Sequence, residues 1–164
     1  MANDSLYSEV EDSAEVLIDP SVSDAVAFAD EVTPASIERA AASLSAAGVS
    51  AEEVARAAAQ AAYDKKAEDI VVIDLTEFSD VCDYFMIATG MNARQVDTII
   101  DEIEEKVAEA YSEHPFSIEG RDQRTWILMD YGSVVVHVFT PEARDYYRLE
   151  KLWGDAPTLD LTLV

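Results

Sequence analysis

WILMDYGSVVVHVF, residues 126–139, consists of two short apolar runs around Asp130-Tyr131-Gly132-Ser133. Those four residues are turn formers, and Gly132 is free to take positive φ. Trp126–Met129 and Val134–Phe139 are too short for helices and rich in β-branched and aromatic side chains, so the stretch predicts a β-hairpin. Neither run alternates apolar with polar. A sheet with one wet face shows period-two alternation, so this hairpin needs cover on both faces. In a chain of 164 residues part of that cover can come from another molecule.

Working outward, Pro115–Glu119 predicts a short strand before the hairpin, with Gly120 as a break. Upstream of these, Arg94–Tyr111 is the clearest helix. Its Val96, Ile99, Ile100, Ile103, Val107 and Tyr111 share one face at spacings of three and four, with acids opposite. Residues 70–75, IVVIDL, and 84–89, YFMIAT, read as strands joined by a loop holding Phe78 and Cys82. Ser50-Ala-Glu-Glu53 is a capping box that opens an Ala-rich helix to Lys65, with Val54, Ala57, Ala58 and Ala61 as a weak apolar stripe. After the hairpin, Thr140-Pro141-Glu142 starts a last helix with Tyr146, Leu149, Leu152 and Trp153 on its apolar side and Gly154 as its stop. The order from residue 51 is α-β-β-α-β-β-β-α. It predicts an α+β fold, an α/β sandwich in which one mixed sheet is packed by helices.

Composition frames this domain. The chain is 49% hydrophobic, enough for a core, and its single cysteine cannot form an internal disulfide, which suits a reducing cytoplasm. No apolar run reaches the ~18 residues of a membrane span, and the N-terminus lacks the pattern of a secretory or import signal. Residues 1–33 hold nine acids and neither Lys nor Arg, and read as a disordered acidic tail. Thr33-Pro34 opens an Ala-rich helical extension over 34–49, ending at Gly48; residues 157–164 read as a C-terminal tail. Eleven Lys and Arg against 34 Asp and Glu give a net charge of −23. Such a surface repels phosphate backbones and attracts a basic protein, while solubility alone also accounts for it.

Chemistry is sparse. Cys82, His114 and His137 have no metal-ligand spacing, so no metal site is expected. His137 lies in a dense apolar strand and suits a core or interface better than a general base; Cys82 has no nearby cation and reads as packing. Gly90-Met-Asn precedes a helix but is no phosphate loop, and no Asp-x-Asp pair ends a strand. No catalytic residue, cofactor or metal is assigned.

Several segments occur in the order seen in one family. They are Lys65-Lys66-Ala67-Glu68-Asp69-Ile70-Val71-Val72, Asp83-Tyr84-Phe85, Arg94-Gln95-Val96, Glu119-Gly120, the hairpin, and Tyr147-Arg148-Leu149-Glu150-Lys151-Leu152-Trp153-Gly154-Asp155. Over residues 50–156 the sequence resembles the ribosomal silencing factor family, also called RsfS or Iojap. The resemblance implies a nucleotidyltransferase-like fold without its active site: the Gly-Ser and paired-Asp signature is missing, since Met91 follows Gly90. It implies binding to the large ribosomal subunit through ribosomal protein L-fourteen, steric exclusion of the small subunit and repression of translation when nutrients are scarce. It also implies a homodimer. On this basis Trp126, Asp130 and Tyr131 are the expected contacts, an aromatic anchor beside a carboxylate that meets Arg or Lys. Gly132 shapes the turn, and Leu128, Val134 and Val136 form an apolar floor. Trp126 and the valines serve a core equally well, and Asp130 a turn. Arg148, Glu150 and Trp153 fit helix packing and local ion pairs. Two other classes stay open: a nucleotidyltransferase-type enzyme using acids such as Asp74, and an acidic adaptor for some other basic protein.

Overall fold

The computed structural model describes residues 48–164; the expected acidic tail and most of the Ala-rich extension lie outside them. Helix α1 (Ala51–Asp64) starts at the anticipated capping box. Ser50 Oγ accepts from Glu53 N at 3.2 Å, and Glu53 Oε2 accepts from Ser50 N at 2.8 Å. Strands β1 (Glu68–Asp74) and β2 (Tyr84–Thr89) follow, then α2 (Ala93–Tyr111), β3 (Ser117–Glu119), β4 (Trp126–Asp130), β5 (Val134–Phe139), α3 (Pro141–Tyr147) and α4 (Leu149–Leu152). The mixed α+β architecture is therefore the one predicted. The sheet order is β1-β2-β5-β4-β3, antiparallel except for the parallel pair β2 and β5.

The hairpin β4–β5 forms as expected. Gly132 takes φ +86°, Tyr131 N donates to Val134 O at 2.9 Å, and Asp130 Oδ1 accepts from Gly132 N at 2.6 Å. Every residue of β5 is buried, which the missing alternation required.

On one face, α1 and α2 cover the sheet. The α2 stripe Val96, Ile99, Ile100, Ile103 and Val107 is fully buried against Val72, Met86, Ala88, Ile127, Met129, Val134, Val136 and Val138. Gln95 ties the two helices: its Oε1 accepts from Met91 N, and its Nε2 donates to Lys65 O and Lys66 O at 3.1 and 3.0 Å. The small side chains of α1 permit this packing, since Ala55, Ala58, Ala59 and Ala62 are all buried.

Three expectations are corrected. β1 begins at Glu68, with a bulge and Asp69 at φ +49°, rather than at Ile70. The last helix is two pieces, because Arg148 is left-handed at φ +46°; Tyr146 and Leu152, expected on a buried side, are exposed. Residues 157–164 are not a free tail but a strap along β1 and α1. Asp74 N donates to Pro157 O and Leu159 N to Val72 O, at 2.8 and 2.9 Å, while Leu159, Leu161 and Leu163 pack on the core. Arg56 Nη1 donates to Asp160 O, and Gln60 holds the backbone of Val164 through both its amide atoms.

Candidate functional site

The face of the sheet turned away from α1 and α2 gathers the aromatic residues. Alternation along β4 puts Trp126, Leu128 and Asp130 on this face and sends Ile127 and Met129 under the helices. Pairing sets Leu128 opposite His137, and Trp126 opposite Phe139. Trp126 stacks on Phe139 with ring centroids 5.0 Å apart and meets Tyr147 of α3 at 4.7 Å. Phe85 of β2 sits edge-on to His137 at 4.7 Å and to Trp153 at 6.0 Å. Trp126, Phe85, Tyr147 and Trp153 are half-buried, so this cluster reaches solvent only at its edges.

The polar groups here are few and constrained. His137 is 3% exposed; its Nδ1 accepts from Trp126 Nε1 at 3.1 Å and its Nε2 has no partner. Burial pulls its pKa down to about 3, so the imidazole is neutral. Asp130 is half-buried, and burial raises its carboxyl above the usual range although the bond from Gly132 N works against this. Cys82 is buried, and burial with Asp83 and Asp130 nearby pushes its thiol up to about 12, the reverse of an activated nucleophile.

The anticipated contact residues do not form one patch. Trp126, Leu128 and Asp130 share the aromatic face. Val134 and Val136 are fully buried under α1 and α2, on the opposite side of the sheet, so the floor expected from them with Leu128 does not form. Tyr131 is 3% exposed and belongs to the same helix-side core, its hydroxyl buried without a partner. Gly132 is buried in the turn. Phe85 and Tyr147, quoted in the sequence only as parts of family segments and not as contact residues, complete the aromatic cluster; alternation along β2 carried the signal for Phe85.

Gly120 fixes the approach to Trp126. At φ +93°, a Cβ there would lie 2.1 Å from the Trp126 carbonyl oxygen. Arg121 then anchors the loop to α2, bonding Asp97 at 2.6 Å and Asp101 at 2.9 Å.

An open cleft of about 830 Å³ lies at the ends of β1 and β2. Its acids Glu68, Asp69, Asp145 and Glu150 outnumber its cations Arg144, Arg148 and Lys151. Arg144 is already spent on Asp69 O, Thr89 Oγ1 and Glu150, so the cleft is a poor cradle for a nucleoside triphosphate. Among the described residues no group of three or more His, Cys, Asp or Glu is placed to hold a metal ion, and no helix is long and apolar enough to cross a membrane.

Residues 49–164 match the model of a family described as "Ribosomal silencing factor during starvation". The chain is similar to the ribosomal silencing factor RsfS of Bacillus subtilis, 46% identical over 110 residues, which covers 67% of this chain and 92% of the relative. It is similar also to the mouse "Mitochondrial assembly of ribosomal large subunit protein 1", 35% identical over 91 residues, covering 54% of this chain and 40% of that protein. A crystal structure from Chromobacterium violaceum superposes with a TM-score of 0.63 at 32% identity, over 71% of this chain and 95% of the other.

Proposed function

The chain belongs to the ribosomal silencing factor family, and from that premise we propose that it binds the large ribosomal subunit through ribosomal protein L-fourteen and blocks small-subunit joining. Translation falls as a result, chiefly under nutrient limitation. The observation that carries this reading is the placing of Trp126, in an aromatic cluster open at its edges, and Asp130, at the turn end, both half-buried, on one face of β4. An aromatic anchor and a carboxylate on the same strand face, about 13 Å apart along β4, are the composition of an interface hot spot for a basic partner. The net charge of −23 supports the choice of a protein contact over an rRNA contact. The name of the mouse relative, which speaks of the ribosomal large subunit, agrees with the choice of subunit.

A steric repressor needs no nucleophile. On this reading the protein works in the cytoplasm and forms a homodimer. The test is sucrose-gradient sedimentation of purified large and small subunits with and without the protein, in the absence of nucleotide. Co-sedimentation with the large subunit and a smaller joined-ribosome peak are expected. A protein that stays at the top while joining proceeds would reject the reading. Isolated L-fourteen on a pull-down resin then decides whether that protein suffices for capture.

A further inference from the structure

Trp126 is half-buried, yet its indole N–H is spent inside the protein, on His137 Nδ1 at 3.1 Å. His137 is itself boxed in: Phe85 lies edge-on at 4.7 Å, Phe139 is near-parallel at 6.2 Å with 11° between the planes, and Leu128 pairs with it across the hairpin. A bond from the indole N–H requires a bare Nδ1, so the ring proton sits on Nε2. That Nε2–H is buried without an acceptor. A valine or phenylalanine, like the neighbours of His137 in β5, would avoid this orphan donor. What such a residue lacks is an acceptor flat enough to lie among aromatic rings and uncharged when buried. Asp or Glu would bring a buried charge.

We propose that His137 is a positioning residue for docking: by accepting the indole N–H at Nδ1 it locks Trp126 so that a partner meets the carbon surface of the ring and not its N–H. With Phe139 stacked on the indole and Tyr147 against it, the partner group is an aliphatic stem, such as that of Lys or Arg, laid along the exposed carbon edge of the ring, rather than a carbonyl acceptor. This rests on the reading of Trp126 as a ribosome contact.

The test uses the full chain. In the wild-type protein, long-range ¹H–¹⁵N spectra report the tautomer of His137, and the Trp126 indole N–H, assigned by Trp126→Phe, reports its protection from exchange. An Nε2–H tautomer with a protected indole is expected; an Nδ1–H tautomer, or an indole that exchanges at once, overturns the proposal without any variant at His137. Affinity for purified large subunits is then compared for Trp126→Ala, His137→Leu and His137→Asn. The leucine removes the acceptor, and the asparagine returns one near the place of Nδ1. The expected result is a loss of about tenfold or more for His137→Leu with indole protection gone, and recovery of both in His137→Asn. If Trp126→Ala weakens binding while His137→Leu does not, the lock is refuted and the docking reading stands. If Trp126→Ala binds as wild type does, the docking role of Trp126 falls and the proposal falls with it.

Discussion

Under α1 and α2 the sheet carries aliphatic side chains, Val72, Met86, Ile127, Met129, Val134, Val136 and Val138, buried to completion against Ile99, Ile100 and Ile103. Its other face carries Trp126, His137, Phe139, Phe85 and Asp130, with rings stacked, edge-on and tilted and with polar atoms that burial disfavours. The helix side gives the domain its stability. The aromatic side keeps an orphan imidazole N–H and a carboxyl held above its usual range, which a stability-driven sequence would discard. The contrast teaches that one hairpin supplies both: odd and even positions of β4 and β5 serve opposite purposes.

The hardest blow to this contrast is expected from Ile103→Ala. It opens a cavity on the helix side and should cost about 3 kcal/mol of stability in urea unfolding, with large-subunit affinity of the folded fraction unchanged. Trp126→Ala should do the opposite, costing about 2 kcal/mol of affinity with a smaller loss of stability. Equal effects of the two variants on both quantities would erase the division of labour.

A third probe is pH. His137 is neutral in the fold, its pKa pulled from 6.5 down to about 3. Between those values the unfolded chain binds the extra proton, so the contribution is intact above pH 6.5 and is lost as pH falls toward 3. The slope is about 1.4 kcal/mol per pH unit for one such group. The difference between wild type and His137→Leu, measured from pH 7.5 to 5 on the order of one unit per step, isolates it from the carboxylates. Parallel curves would mean that His137 is not held neutral. The smallest effect is on the helix side: Tyr131→Phe removes a buried hydroxyl without a partner and should raise stability by about 1 kcal/mol, leaving affinity alone. A loss of affinity there would return Tyr131 to the contact surface.

Much of this division was legible in the sequence. The unbroken apolar run of β5 foretold burial on both faces, Gly132 foretold the turn, and the stripe on α2 foretold which side the helix presents. Grouping Leu128 with Val134 and Val136 failed for a reason of register. The two-residue period sends Leu128 to the face of its pair His137, whereas Val136 pairs with Met129. The break at Arg148 had no Gly or Pro to announce it. Leu159, Leu161 and Leu163 alternate as a strand does, but Asp160 and Thr162 between them made the segment pass for a tail.

The strap has a consequence in time. It joins partners 104 residues apart, Arg56 to Asp160 and Gln60 to Val164, whereas the hairpin closes over a handful of residues. Closing so long a loop costs more chain entropy than closing a turn, so the order of events is hairpin early and strap late. Until Pro157 and Leu159 reach β1, the outer edge of that strand keeps its ladder groups unpaired, a template for the wrong neighbour. Crowded, half-folded copies are therefore most at risk along β1, and the segment that looks least important on the page is the one that shuts the risk off.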